Sequence, residues 1–338
     1  MPTSVARESL NPSKVNPMNR YLPTAALTIL LATAVQAQQI QVDPALPSYQ
    51  KVSGISGNLN SVGSDTMNNL MTLWAEAFTK MYPNVKVQVE GKGSSTAPPA
   101  LIAGTAQFGP MSRAMRSTEI DQFEQKYGFK PAQFRTSYDA LAVYVSKDNP
   151  IEKLTLSQVD AIFSKTRRRG YKTNVTTWGQ LGLTGDWAKR PVSIYGRNSA
   201  SGTYGFFKEH ALGNGDYKDQ VKEQPGSASV VQGVTSDRFG IGYSGLGYRT
   251  SGVKVVSLAE AEGKPYSSGS YEDVKSGKYP LNRFLFLYVN QAPGKPADPL
   301  VREFLKLIFS KEGQEVVLKD GYLPLPAEIA KQEIAKIR

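Results

Sequence analysis

Hydrophobic and polar residues follow one another along the chain in segments that predict an α/β fold. Apolar residues recur at helical spacing over 70–81, and alternating valines over 85–89 are typical of a strand. Continuous apolar runs over 141–145 and 284–289 predict buried strands, and the pattern over 301–308 predicts another amphipathic helix. We therefore expect an α/β architecture with largely parallel sheets, whose ligands bind at the carboxyl ends of the strands.

Residues 1–37 are typical of a secretory signal peptide. Basic residues precede an uncharged, mostly apolar stretch over 22–35, and small residues at Val35 and Ala37 match a signal peptidase site. That apolar stretch is shorter than the roughly 20 residues that span a bilayer. We expect cleavage after Ala37, with translation starting at Met1 or Met18, and a mature protein that is periplasmic or also secreted.

Composition limits the chemistry that the chain can perform. Among 338 residues there is one His, His210, and no Cys, so thiolate nucleophiles and Cys-based metal sites are excluded. Lys and Arg number 40 against 29 Asp and Glu, a formal net charge of +11 that suits an anionic partner. The densest basic cluster, Lys165 with 167–169, predicts an exposed loop rather than a nucleic-acid site, because no aromatic residues interleave with it. We expect no metal, cofactor or nucleic-acid partner.

Three turns rich in Gly, Ser and Thr each precede a predicted helix, at 63–66, 91–96 and 196–203. A helix N-terminus offers free N–H groups and about half a positive charge, so it binds anions. Helix capping alone explains any one such turn, whereas three turns, one of them carrying Arg197, favour a shared anion. None matches a dinucleotide or phosphate-loop motif. The anion should therefore be small.

The segment 197–203, Arg-Asn-Ser-Ala-Ser-Gly-Thr, resembles the Arg-x-x-x-Ser-Gly-Thr phosphate clamp of the PstS family. This family comprises the phosphate-binding proteins of bacterial phosphate ABC importers, and the resemblance extends from about residue 57 over nearly all of the remaining chain. It implies an α/β, two-lobed periplasmic binding protein of type II with two crossover strands.

The same resemblance implies a division of the mature chain. An N-terminal arm covers 38–56, the first lobe comprises 57–143 and 284–338, and the second lobe comprises 144–283. Phosphate ligands are implied, or proposed as candidates where the family pattern is broken, at Ser64, Asp65, Thr66, Ser94, Ser112, Asp139, Arg197, Ser201, Gly202 and Thr203.

The sequence departs from the family pattern at Ser112. Many members have an Asp at this position, and that Asp accepts a proton of the bound phosphate. The carboxylate must then come from elsewhere, and we expect Asp139, at the start of a predicted buried strand, ahead of Asp65. Capping of the strand end is an alternative role for Asp139.

By resemblance, the function is high-affinity capture of inorganic phosphate in the periplasm and delivery to the membrane permease of an ABC importer. We expect a monomer that is not an enzyme. A phosphatase, or a surface or adhesion protein that uses the same anion cleft, is the alternative. The sequence shows no metal-ligand cluster and no activated nucleophile, which favours binding over hydrolysis.

Overall fold

The computed structural model describes residues 40–337, and the predicted signal peptide lies outside them. The strands of this part of the chain are β1 (Gly57–Val62), β2 (Val85–Glu90), β3 (Phe108–Met111), β4 (Ala132–Ser146), β5 (Lys153–Thr155), β6 (Ser193–Arg197), β7 (Lys222–Gln224), β8 (Gly240–Gly245), β9 (Val253–Val255), β10 (Ser257–Ala259) and β11 (Asn282–Val289). The α/β prediction is confirmed.

Helices separate most of these strands. They are α1 (Asn68–Met81), α2 (Ala97–Ala103), α3 (Ser117–Tyr127), α4 (Leu156–Phe163), α5 (Gly202–His210), α6 (Ser227–Ser236), α7 (Tyr271–Lys275), α8 (Pro299–Ile308), α9 (Lys311–Lys319) and α10 (Ala327–Ile334). Short 3-10 helices lead into α1 at Asp65–Met67 and into α2 at Ser94–Thr96, and others cover Trp178–Leu181, Gly185–Trp187 and Leu246–Tyr248. No helix of the described part is long and apolar enough to cross a membrane.

The main sheet has the strand order β2-β1-β3-β11-β4-β8-β6-β7, with β9 also paired to β4. The outer strands pair in parallel, β1 with β2 and β3, and β6 with β7 and β8. The central pairs β3-β11, β11-β4 and β4-β8 are antiparallel. The expectation of largely parallel sheets is therefore correct only for the outer strands. A chain that leaves along β4 and returns along the adjacent β11 must form an antiparallel pair there.

Strand β4 belongs to two groups of strands. Its residues 132–140 pair with β11, whereas residues 141–145 pair with β8. We call the group β1, β2, β3 and β11 the first half of the sheet, and the group β6, β7, β8 and β9 the second half. Because β1, β2 and β3 run parallel, as do β6, β7 and β8, the loops that follow β1 and β2, or β6 and β7, lie at a common edge.

The N-terminal segment 40–56 contains no helix or strand, and it packs along the first half. Leu46 is buried. The Tyr49 hydroxyl donates to a carboxylate oxygen of the buried Glu303 at 3.1 Å and lies 2.7 Å from the hydroxyl of Tyr82. These contacts fix the arm against α1 and α8.

Helix α1 buries the apolar face that the sequence pattern predicts, including Leu70, Trp74 and Phe78. The indole N–H of Trp74 donates to the carbonyl oxygen of Gly313 at 2.8 Å. Gly313 lies in the first turn of α9, where a Cβ atom would lie 1.9 Å from the carbonyl oxygen of Leu307. A side chain at this position would force α9 away from α8, and Trp74 away from its acceptor.

We expect Gly313→Ala to lower the free energy of unfolding by about 1–3 kcal/mol, the usual cost of overpacking a close-packed interior. Urea denaturation of the purified variant measures the change. The exposed Glu315 lies on the same helix, so Glu315→Ala serves as the control and should change the stability by less than about 0.5 kcal/mol. Equal stabilities of the two variants would contradict the packing described here.

Candidate functional site

The turn after β1 passes so close to β3 that only Gly fits at its first position. A Cβ atom at Gly63 would lie 2.2 Å from the carbonyl oxygen of Pro110. The next residues, Ser64 and Thr66, are both buried. The Ser64 hydroxyl has no hydrogen-bond partner among the described residues, and a buried hydroxyl without a partner is costly.

Four buried hydroxyl groups form one cluster that joins the two halves. The Oγ1 atoms of Thr66 and Thr203 are 2.8 Å apart, and Thr203 Oγ1 donates to Ser112 Oγ at 3.3 Å. Ser112 Oγ lies 3.2 Å from Ser94 Oγ, which also accepts from the Ser112 backbone N–H at 3.0 Å. Hydroxyl groups can donate as well as accept, so this cluster can turn its protons towards an anion.

The N-terminus of α5 approaches the first half at its backbone. A Cβ atom at Gly202 would lie 2.3 Å from Ser94 Oγ and 2.7 Å from Ser112 Oγ. The Ser201 hydroxyl caps the helix, accepting from the backbone N–H groups of Thr203 at 3.1 Å and Tyr204 at 3.3 Å. Ser201 thus orients the first turn of α5 towards the hydroxyl cluster.

Arg197 lies at the end of β6 with its side chain only 1% exposed. Its Nη1 donates to Ser227 Oγ at 2.8 Å and its Nη2 to the carbonyl oxygen of Pro225 at 3.1 Å, while Nε has no partner among the described residues. Burial lowers the pKa of Arg197, and the Asp65 carboxylate, 3.3 Å away, opposes this shift. The guanidinium of an arginine remains protonated at neutral pH even when it is buried, so the site holds a buried positive charge.

Asp65 connects the first turn to the second half. Its Oδ2 accepts from the backbone N–H of Ser227 at 2.7 Å and lies near Arg197 Nη1. Its Oδ1 accepts no hydrogen bond from the described residues, and the side chain is 22% exposed. Asp65 therefore retains an acceptor atom beside the buried guanidinium.

Asp139 occupies a different environment from the one expected. It lies within β4 rather than at the start of a strand, because the strand begins before the apolar run from which it was predicted. Its fully buried Oδ2 accepts from Arg283 Nε at 2.9 Å and Nη2 at 2.7 Å, and its Oδ1 accepts from the Leu246 N–H at 3.2 Å. Both carboxylate oxygens of Asp139 are thus engaged by protein donors.

Sequence reasoning missed Arg283 and Ser227. The guanidinium of Arg283 donates to the Ser112 carbonyl oxygen at 2.7 Å and to Thr203 Oγ1 at 3.0 Å, so it links both halves at the hydroxyl cluster. The available signal was a charged residue directly before the apolar run 284–289, at the start of β11. For Ser227, the signal was a further small-residue turn before a helix, at 225–227.

The predicted site residues thus form one connected group. Hydrogen bonds or close approaches link the residues of all three turns, and Asp139 joins them through Arg283. Within residues 40–337 there is no group of three or more His, Asp and Glu side chains that could hold a metal ion. The arrangement is rich in donors and buried, which suits a small multivalent oxyanion.

Comparison with known proteins shows which family the chain belongs to. The family model of the PBP superfamily domain matches residues 49–312. The phosphate-binding protein PstS of Pseudomonas aeruginosa is 59% identical over 314 residues, which cover 93% of this chain and 97% of that protein.

Solved structures show the same fold. An ABC-type phosphate transport receptor from Vibrio cholerae superposes with a TM-score of 0.61 at 21% identity, covering 79% of this chain and 100% of that one. A phosphate ABC transporter substrate-binding protein from Clostridium perfringens with bound phosphate gives a TM-score of 0.66 at 23% identity, covering 80% and 100%. The chain therefore belongs to the PBP superfamily and, within it, to the family of the Pseudomonas aeruginosa protein PstS.

Proposed function

We propose that this protein captures inorganic phosphate outside the cytoplasmic membrane and delivers it to the permease of an ABC importer. The observation that carries the proposal is the meeting of buried donors from both halves at one place, with Ser64 Oγ and Arg197 Nε lacking a hydrogen-bond partner among residues 40–337. The names of the relatives, which describe phosphate-binding and phosphate-transport proteins, agree with it.

The donor set matches a tetrahedral oxyanion. Phosphate has four oxygen atoms, each with several lone pairs, and can satisfy hydroxyl, guanidinium and backbone N–H donors at once. We assign the ligand role to the hydroxyls of Ser64, Thr66, Ser94 and Thr203, to the Arg197 guanidinium, and to N–H groups in the first turns that follow β1, β2 and β6. Ser112 supports Ser94, and Ser201 supports the N-terminus of α5. The relatives are named as binding proteins, and we therefore propose that this protein binds phosphate and does not act as a hydrolase.

We further propose that the two halves are lobes that close on phosphate. For these lobes we propose the limits expected from the sequence, 57–143 with 284–338 for the first and 144–283 for the second, so that both boundaries fall within the linking strands β4 and β11. Contacts between the halves, such as the Ser95 N–H donating to the Ala200 carbonyl oxygen at 3.1 Å, would break on opening. Hinge closure of this kind encloses a ligand and excludes water from it.

The proton of phosphate is the basis on which we expect sulfate to be excluded. Near neutral pH phosphate keeps at least one proton and sulfate keeps none, so a buried carboxylate can accept from phosphate but only repels sulfate. We assign this role to Asp65, because its Oδ1 is free of described donors whereas Asp139 is engaged by Arg283 and Leu246. Asp139 is then a positioning residue that holds Arg283.

Export follows from the predicted signal peptide, with cleavage after Ala37. We propose a monomer in the periplasm that meets the permease through the surfaces of both lobes. Phosphate is the only small molecule that the proposal requires.

We expect Arg197→Ala to weaken phosphate binding by about 2–5 kcal/mol, because the buried anion loses a charged, hydrogen-bonded partner. This corresponds to a roughly thirtyfold to several-thousandfold increase in Kd. Isothermal titration calorimetry on protein stripped of phosphate by unfolding and refolding measures it. Arg197→Lys should recover only part of the affinity, since an ammonium lacks the planar fork.

Arg190→Ala is the matched control, because Arg190 is exposed and lies over the ring of Phe239, outside the site. Its Kd should equal that of the parent. A folded Arg197→Ala protein, as judged by circular dichroism, with an unchanged Kd would refute the ligand role of Arg197.

We expect Asp65→Asn to bind phosphate more weakly and to admit sulfate, because an amide can donate to sulfate where the carboxylate could only repel it. Sulfate competition against phosphate, measured by calorimetry, reports the change. The exposed Asp186 provides the control variant Asp186→Asn, which should exclude sulfate as the parent does.

Asp139→Asn should behave differently from Asp65→Asn. It leaves the buried guanidinium of Arg283 without its carboxylate, so we expect a loss of about 3–5 kcal/mol in stability, with sulfate still excluded. If sulfate competes in Asp139→Asn and not in Asp65→Asn, the assignment of the acceptor to Asp65 is wrong.

A further inference from the structure

A cavity of about 710 Å³ lies beside the proposed phosphate site. Both halves line it: Arg113 and Arg116 follow β3, Phe206 and Lys208 lie on α5, and Arg283 and Phe284 lie on β11. Arg283 is shared, because it lines this cavity and also donates to Thr203 in the hydroxyl cluster. The volume is several times what one inorganic anion requires.

Two guanidinium groups converge on the cavity at Gly205. A Cβ atom at Gly205 would lie 3.9 Å from Arg113 Nε and 4.0 Å from Arg116 Nη2. The side chain of Arg113 is only 9% exposed, and its Nη1 and Nη2 donate to Glu119 at 2.7 and 2.6 Å. Its Nε is buried without a hydrogen-bond partner among the described residues. This unpaired donor requires an acceptor.

Arg116 supplies the charge that is not neutralised locally. Arg116 is exposed, and among residues 40–337 no carboxylate oxygen is closer than 4.0 Å to its guanidinium. The other cations of the wall are paired: Arg113 bonds to Glu119, Lys208 lies 2.9 Å from Asp216, and Arg283 bonds to Asp139. The position between Arg113 and Arg116 is therefore suited to an oxyanion group.

The rest of the wall combines aromatic rings with polar side chains, among them Glu209 and His210. Phe206 lies under the Arg283 guanidinium, whose carbon is 5.1 Å from the ring centroid. Phe284 and Phe286 face the same cavity from β11. A free phosphate ion would leave the half-buried rings of Phe284 and Phe286 in contact with water, whereas an apolar ring attached to the anion would cover them.

We propose that this cavity is a second binding site, which takes a phosphate monoester with a ring-sized apolar body. The phosphoryl group lies between Arg113 and Arg116, and the body packs on Phe284 and Phe286. The site is separate from the one that captures inorganic phosphate, so both can be occupied together. An ester body of this size is excluded from the first site. There the backbone of Gly202 packs so closely on the hydroxyls of Ser94 and Ser112 that not even a Cβ atom would fit.

The test uses phenyl phosphate as the probe and the intact protein, first saturated with inorganic phosphate so that the first site is filled. Calorimetry should show one further binding event for phenyl phosphate and none for phenol. Arg116→Ala should weaken this event by about tenfold or more, the effect of losing one charge-assisted hydrogen bond. Arg190→Ala, which removes an exposed arginine elsewhere, should leave it unchanged.

Gly205→Leu provides a second variant, because its side chain would fill the space between the two guanidinium groups. It should abolish phenyl phosphate binding while inorganic phosphate still binds. Titration with inorganic phosphate is performed first on every variant, so that failure of the phosphate-capture proposal is recognised separately. Binding of phenyl phosphate that depends on Arg116 would support the second site even in that case.

Four results would overturn the proposal. They are no phenyl phosphate binding at millimolar concentration, loss of the phenyl phosphate event once one equivalent of inorganic phosphate has filled the first site, equal affinity in Arg116→Ala and the parent, and equal affinity for benzoate and phenyl phosphate. The last would mean that the cavity accepts any aromatic anion and does not recognise the phosphoryl group.

Discussion

Burial of hydrogen-bond donors with too few acceptors is the constraint on which this structure depends. Arg197, Ser64 and the cluster around Thr203 are removed from water where the two halves meet, and donors left without acceptors destabilise a folded state by kilocalories per mole. In the proposed function, an anion with several oxygen atoms would accept from all of them together. The same donors in an open arrangement would be hydrated, so the proposed closure and anion binding would be thermodynamically coupled.

The sheet topology puts these donors in one place. Each half has parallel outer strands, so its small-residue turns and helix N-termini lie at one edge. Strands β4 and β11 run side by side between the halves, and they carry Asp139 and Arg283 to the base of the site. The ion pair therefore connects the backbone that links the halves to the hydroxyls of the proposed phosphate site. Replacing either Asp139 or Arg283 would therefore disturb both the link between the halves and the hydroxyl cluster.

The sequence predicted the parts of the site that depend on local patterns. The turns at 63–66, 91–96 and 196–203 can be predicted because Gly, Ser and Thr directly before an amphipathic helix indicate a helix N-terminus that can bind an anion. This signal depends only on neighbouring residues. The partners of Asp139 and Asp65 could not be predicted in this way, because Arg283 and Ser227 are far from them in the chain. The central antiparallel strands were missed for a related reason. An apolar run shows that a strand is buried but does not reveal the direction of its neighbours.

A crystal structure of the refolded protein with inorganic phosphate tests the central claim most directly. The account predicts one phosphate ion enclosed between the halves, with oxygen atoms within about 3.2 Å of Ser64 Oγ and Arg197 Nε, the usual limit of such hydrogen bonds. It also predicts an oxygen of the ion facing Asp65 Oδ1. Phosphate bound elsewhere, or bound here with Ser64 Oγ and Arg197 Nε turned away from it, would contradict the account.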